Sequence, residues 1–335
     1  MFREQHALAP SAAEAAQSRR PPAAVAVPAV IFLGFAALPL VAPAGGERYL
    51  LDLASRMMIF SVAAVALDLL VGYGALVSFG HAAFVGLGAY AVGILAAHGV
   101  NDAVVALPAA LAVAMLFAYA TGIVCLKTQG VYFIMITLAF GQMAYFTATS
   151  LAPYGGDNGL TIASRSLVAG YAMLGADRAF YWVVFGCLLA TYLSSRALVA
   201  SRFGRVLRGA RENPTRMAAL GFDVGRFRLV TYVIAGGLGG LSGFLLANLT
   251  EFVSPAYMSW QRSGDLIIMV ILGGAGSLHG AIIGSVAYLL AEEWLSGLTE
   301  NWKAIFGPLL VLVVLFARGG LIGLGTQVAR GLRRG

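Results

Sequence analysis

Asp68 is a carboxylate inside an apolar run, and four residues later the chain turns glycine-rich: Gly72-Tyr73-Gly74-Ala75-Leu76-Val77-Ser78-Phe79-Gly80-His81-Ala82-Ala83-Phe84-Val85-Gly86-Leu87-Gly88-Ala89-Tyr90. An ionisable group in such a run faces a protein interior or a cavity, and it invites a functional reading. One chemistry open to it is ion coupling, with Asp68 and His81 as the exchanging groups. A proton relay needs partners, and no second carboxylate is evident. The other reading is structural: Asp68 lies near the end of its helix and is hydrated, or it accepts from N–H groups freed by the glycine loop. Each glycine is about 1 kcal/mol less favourable than alanine inside a helix. The stretch therefore reads either as a broken helix that lines a watery pathway with Ser78, Gly80, His81 and Phe84, or as small-residue packing against a neighbour. The same flavour returns at Gly273-Gly274-Ala275-Gly276-Ser277-Leu278-His279-Gly280, which adds Gly273, Gly274 and Ser277 to the pathway candidates. Two such breaks in separate halves suggest an internal repeat.

Other chemistries are missing. The only lysines are Lys127 and Lys303, and neither belongs to a Gly-Lys-Ser or Gly-Lys-Thr sequence. The phosphate-cradling loop of the common ATPases is therefore absent. No His/Cys/Asp set has metal-ligand spacing, and no serine sits in a nucleophile elbow. Cys125 and Cys187 lie in apolar runs and read as small hydrophobes. No catalytic residue, no metal and no cofactor bound by this chain is expected.

The segment 201–228 carries Arg202, Arg205, Arg208, Arg211, Arg216, Arg226 and Arg228 against Glu212 and Asp223. Within it Asn213 suits an N-cap and Pro214 the first helical position. Thr215 to Leu220 give about two turns, and Gly221 suits a left-handed stop. A helix this short is unstable alone in water, so it needs a docking partner. The plainer alternative is an ordinary basic loop.

The elements that must position these groups follow from composition. The 335 residues are 60% hydrophobic and 11% charged, with a mean hydropathy of +0.84. An ordinary soluble domain has about 25% charged residues. Apolar segments near 23–44, 53–71, 75–97, 103–126, 131–151, 179–199, 229–249, 265–291 and 304–317 predict an all-α polytopic membrane protein of about 9–10 transmembrane helices, with glycine-rich breaks. Alternating β-barrel segments are absent. The net charge of +7 fits arginine-rich loops held on the cytoplasmic side; no soluble segment interleaves aromatic and basic residues, so no nucleic acid is expected. With 201–228 inside, counting back places Lys127 and the N-terminal arginines inside, and Asn101, Asp102 and the 152–178 loop outside. Arg19 and Arg20 before the first run resemble a signal peptide, but the run is long enough to stay as a helix. Residues 1–22 read as a disordered cytoplasmic tail, 23–318 as the membrane domain and 319–335 as a basic cytoplasmic tail. A break at Gly273–Gly280 lets 265–291 enter and return, or cross twice, which puts Glu292, Glu293 and Glu300 outside and both termini in the cytoplasm. Asp52 and Arg56, four apart, read as an interfacial ion pair.

These residues carry a resemblance from about Leu67 to Phe316. Leu69-Leu70-Val71-Gly72-Tyr73-Gly74, Ser78-Phe79-Gly80-His81-Ala82-Ala83-Phe84, Thr137-Leu138-Ala139-Phe140 and Gly155-Gly156-Asp157-Asn158-Gly159-Leu160 are followed by Phe203-Gly204-Arg205, Arg211-Glu212-Asn213, Ala219-Leu220-Gly221, Ser254-Pro255, Ser263-Gly264 and the Ile271–Gly280 run. Together they resemble the M-type (LivM) permease family of bacterial leucine/isoleucine/valine ABC importers. The resemblance implies the ABC importer permease architecture in the bacterial inner membrane, with membrane lipid around it. It implies a homologous second permease subunit, two cytoplasmic ATPase subunits that use the ATP, and an external substrate-binding protein. It implies branched-chain or other small amino acids as cargo; related permeases carry urea, short amides or aromatic acids. The family's coupling loop falls on Gly204, Arg205, Arg211, Glu212, Asn213, Pro214, Ala218, Ala219 and Gly221. The chain departs from the family at Asp68, where Asn is usual, at Ala218, where Glu is common, and at Pro214 and Arg216.

Overall fold

The computed structural model describes residues 23–41, 47–171, 174–299, 301, 304–308, 310–311 and 319–323. The expected tail over 1–22, the end of the last apolar segment (312–318) and residues 324–335 lie outside the described residues.

The order is α1 (Ala23–Val41), α2 (Glu47–Asp68), α3 (His81–Ala97), α4 (Ala103–Cys125), α5 (Val131–Ser150), α6 (Asp177–Ala200), α7 (Arg202–Glu212), α8 (Pro214–Ala219), α9 (Val224–Thr250), α10 (Trp260–Gly273) and α11 (Leu278–Ser296). Eight of the nine expected apolar segments coincide with these helices, and the ninth is only partly described. Among the described residues five helices are long and apolar enough to cross a membrane alone, and α10 with α11 forms a bent pair that would make a sixth only if the two were one span. Val27–Leu40 and His81–Ala97 are shorter apolar helices. The chain is thus an all-α polytopic membrane protein.

Small residues let the helices approach. On α4, Ala106, Ala110, Ala114 and Ala118 are buried at four-residue spacing. They face Gly236 and Gly240 of α9, where a Cβ would press into Ala118 Cβ and Ala114 Cβ, respectively. In lipid, where apolar surface alone gives little association, such close backbone contact is what holds helices together. Hydroxyls add polar ties: Ser61 Oγ lies 2.5 Å from Ser285 Oγ, and Ser242 Oγ donates to the Ile59 carbonyl at 2.9 Å.

Contacts define two ends. At the first, Tyr49 donates to Glu293 at 2.6 Å, Arg178 pairs with Glu47, and Arg165 lies 2.8 Å from Asp177 and 3.6 Å from Glu251. The loop after α5 covers this end, where β1 (Leu160–Thr161) pairs antiparallel with β2 (Phe252–Val253). At the other end lie both glycine breaks and the arginine-rich segment. The α10–α11 pair bends by 117° between Gly273 and Leu278, so it enters and returns. Glu292 and Glu293 come back to the first end.

One expected pairing is replaced. Arg56 Nη2 lies 3.9 Å from Glu292 Oε2, so the Asp52–Arg56 pair inferred from spacing is not the one formed. The returning helix supplies the carboxylate, a long-range event that i,i+4 spacing does not report.

Candidate functional site

The first break begins where α2 widens into a π turn at Leu69–Tyr73 and then leaves helical geometry until α3 restarts at His81. The second spans Gly274–Ser277, where Gly274 (φ +113°) and Gly276 (φ +87°) hold backbone angles that favour glycine. The breaks meet each other. Asp68 is fully buried, and its Oδ1 accepts from the Gly276 N–H at 2.7 Å. Asp68 therefore serves a glycine loop, as one sequence reading held, but the distant loop rather than its own. Gly72 sits between them: a Cβ there would overlap both Asp68 Oδ1 and the Gly276 backbone. Its carbonyl accepts from Arg211 Nη1, which reaches in from α7. Asp68, Gly72, Arg211 and Gly276 thus tie three distant segments into one knot.

Helix α7 makes that reach possible. Ser201 caps it by accepting from the Gly204 N–H at 3.4 Å. Its buried face is Gly204, Val206, Leu207 and Ala210, and a side chain at Gly204 would run into the Val199 backbone. Arg205 is exposed. Sequence reasoning placed one short helix in this segment and missed α7. The arginines at 202, 205, 208 and 211, with Val206, Leu207 and Ala210 between them, carried the amphipathic signal.

Helix α8 matches its expected caps. The Asn213 side chain accepts from the Arg216 N–H at 2.9 Å, and Gly221 stops the helix at φ +86°. Gly221 N–H reaches the Ala218 carbonyl at 2.9 Å, and Phe222 N–H reaches Met217 at 3.2 Å, the paired closure of a left-handed stop. No residue of α8 is buried. Ala218 and Ala219 are exposed, with Leu220 at 66% and Phe222 at 40%. The nine coupling-loop candidates therefore divide. Gly204, Arg205, Arg211 and Glu212 belong to α7; Asn213, Pro214, Ala218, Ala219 and Gly221 form α8 and its caps. Glu212 and Arg216 bridge the two at 3.9 Å.

The pathway candidates lie mostly in dry interior. Ser78, Gly80, His81 and Phe84 are buried, as are Gly273 and Gly274. N–H groups at the start of α3 are met from outside the helix: Phe79 donates to Thr137 Oγ1 at 3.2 Å and Ala82 to Ser263 Oγ at 3.1 Å. Thr137 and Ser263 were quoted in motifs without a role. The His81 ring meets Phe84 edge-on at 5.3 Å, and neither ring nitrogen has a hydrogen-bond partner among the described residues. Phe84 meets Tyr232 edge-on at 5.5 Å. Ser277 differs: with Tyr73, Tyr192, Arg196, Arg208 and His279 it lines a cavity of about 460 Å³ at the break end. Among the described residues no group of three or more His, Cys, Asp or Glu could hold a metal ion.

A polytopic helical bundle with two interlocked breaks and one exposed capped helix has the build of a transport permease. The chain belongs to the family described as branched-chain amino acid transport system / permease component, which matches residues 49–315. It is 25% identical over 299 residues to the high-affinity branched-chain amino acid transport system permease protein LivM of Salmonella typhimurium, covering 82% of this chain and 70% of that one. The LivM protein of Escherichia coli is 24% identical over the same length and shares of the chains. A probable branched-chain amino acid transport permease protein LivH of Methanocaldococcus jannaschii is 32% identical over 156 residues, 42% of this chain and 46% of that one. No solved structure matches.

Proposed function

We propose that this chain forms part of the translocation pathway of an ABC importer for branched-chain amino acids, and that α8 is where ATP energy enters. The carrying observation is the link from the exposed, apolar-tipped α8 through α7 and Arg211 to Gly72, and from there to Gly276 and Asp68. One of two cytoplasmic ATPase subunits docks on Ala218, Ala219, Leu220 and Phe222, and the other on the second permease. ATP is bound there and not by this chain, which acts as no enzyme itself. A homologous permease, of the kind the LivM and LivH relatives represent, completes the pathway, and an external binding protein delivers cargo. The membrane is the bacterial inner membrane, with lipid around the exposed apolar helix faces.

In this reading the break end faces the cytoplasm, in keeping with the arginines of 201–228. The domain layout is a cytoplasmic tail at 1–22, the permease body at 23–318 and a basic cytoplasmic tail at 319–335. A reporter fused at Gly335 reads cytoplasmic; a periplasmic reading overturns this topology. Ser78, Gly80, His81 and Phe84, with Gly273, Gly274 and Ser277, form the seam that shifts as the pathway opens. Ion coupling through Asp68 and His81 is less well supported, because among the described residues Asp68 Oδ2 and both His81 nitrogens lack the partners that a relay needs.

Vesicle uptake decides between them. The complex reconstituted with its ATPase and binding protein takes up leucine only with ATP. Uptake by this subunit alone, driven by a proton gradient, refutes the proposal.

A further inference from the structure

A second cavity, of about 260 Å³, opens between α2, α3, α9 and α10, from Ala82 beside the first break toward Thr250 and Tyr257 at the ion-pair end. Two guanidiniums line it. Arg56 stands nine residues into α2 and is 3.9 Å from Glu292; Arg262 is 3.6 Å from Asp265. Both separations are too long for hydrogen bonds, and neither guanidinium donates one elsewhere among the described residues. The two side chains are about a third exposed, at 37% and 33%. Phe60, Val85, Leu246 and Leu266 supply an apolar wall.

That combination has a chemistry. Arginine forks match carboxylates with two parallel hydrogen bonds, and both guanidiniums hold only long ion pairs that leave their donors open to a carboxylate. The apolar wall suits an aliphatic tail. An engineered cavity of about 150 Å³ holds benzene, so this larger space accepts a nine-heavy-atom amino acid with little room to spare. Net charge narrows the choice. Arg56 and Arg262 are already balanced by Glu292 and Asp265, so a bare anion adds an uncompensated charge at membrane depth, whereas a zwitterion adds none.

We infer that this cavity is a substrate subsite for a small zwitterionic amino acid with a branched aliphatic side chain, its carboxylate on Arg56 and Arg262 and its tail against Phe60, Val85, Leu246 and Leu266. The inference rests on the proposed function for its substrate class. It adds a subsite within one subunit, on the side opposite the exposed helix.

The test is equilibrium binding of radiolabelled leucine to the purified permease complex without its binding protein, followed by uptake. Arg56→Gln and Arg262→Gln each weaken leucine binding by about tenfold or more, the loss expected for a charged hydrogen bond, and raise the KM of uptake. Arg56→Lys, which keeps the charge and loses the fork, falls between. Leucinol, which lacks the carboxylate, competes poorly. If Arg56→Gln fails to assemble, Arg262→Gln at the start of α10 still decides. Unchanged binding in the assembled variants, equal competition by leucinol, or an anionic lipid found in the cavity that leucine does not displace overturns the subsite. Leucine uptake that persists with ATP while binding is insensitive to both arginines sinks the subsite alone; absence of any ATP-dependent uptake by the wild-type complex sinks the functional reading instead.

Discussion

At the end formed by the starts of α2 and α6, Arg165 lies 2.8 Å from Asp177 and 3.6 Å from Glu251, with its guanidinium 4.8 Å from the centre of the Phe180 ring. At the opposite end Arg211 donates to the carbonyl of Gly72, and Asp68 accepts from the N–H of Gly276. Arg165 is held chiefly by carboxylates, with one backbone contact to the Leu174 carbonyl at 3.4 Å, whereas Arg211 and Asp68 meet backbone. The difference follows from the helix breaks. A break away from water leaves backbone groups without intrahelical partners, and each must be served from elsewhere. Side chains that serve them tie the two loops and α7 to one another. The ion-pair end fastens helix ends, whereas the break end sets the relative positions of segments. Only the second arrangement can pass a push on α8 inward.

The strongest way to break this comparison is Gly72→Val. Its Cβ would overlap Asp68 Oδ1 and the Gly276 backbone. Overpacking alone destabilises by about 1–3 kcal/mol, and here it also parts the hydrogen bond that joins the breaks. Leucine uptake is abolished and the melting temperature falls; Gly72→Ala shows the same defects to a lesser degree. A Gly72→Val complex with wild-type uptake and melting would show that the knot is not as tight as drawn.

Arg165→Met probes the other end. The Arg165 side chain is only 7% exposed, and removing it leaves Asp177 and Glu251 without that partner. Losing one member of a fully buried pair costs about 3–5 kcal/mol; since both acids are partly exposed, the lower figure of about 2–3 kcal/mol is expected. The melting temperature drops, yet ATP hydrolysis per assembled complex stays at the wild-type level. A coupling defect in this variant would erase the distinction between the ends.

Asp68 gives a finer cut. Asp68→Ala leaves the Gly276 N–H without its acceptor in the interior, a loss of about 1–2 kcal/mol. Asp68→Asn keeps an acceptor at the same place. Transport falls in the alanine variant and is largely retained in the asparagine variant. Equal loss in both would mean that the charge itself matters, and would restore ion coupling as a reading.

Much of this was legible in the sequence, for identifiable reasons. Helices recorded in long apolar runs were found, because burial in lipid needs only composition over about 20 residues. The caps of α8 were found because Asn213, Pro214 and Gly221 act on neighbours within four residues. The return of α10–α11 followed from glycine density at Gly273–Gly276. What stayed hidden was long-range. Nothing near Asp68 in the chain names Gly276 as its partner, 208 residues away, and nothing near Arg56 names Glu292. Nor did the glycines say whether Ser78 and His81 face a cavity or a neighbouring helix. The structure packs Phe84 against Tyr232 and sets His81 beside Gly239, both on α9, and that depends on where α9 lies.

The gentlest test acts at the tip of the break end and leaves the knot untouched. Gly221 holds φ +86°, and a Cβ there would meet nothing within 4 Å. Any effect of substitution is therefore one of backbone conformation, free of crowding. A β-branched residue resists this left-handed angle by about 1–2 kcal/mol, whereas asparagine tolerates it. Gly221→Val loosens the end of α8 and lowers ATP hydrolysis coupled to transport several-fold, while membrane insertion and the melting temperature of the body stay near wild type. Gly221→Asn stays close to wild type in all three. Ala219→Glu, which leaves the stop intact and adds charge to the exposed face, lowers coupling as Gly221→Val does. If both valine and glutamate variants hydrolyse ATP normally, α8 is not the docking element, and the inward link through Arg211 has no source of force to transmit.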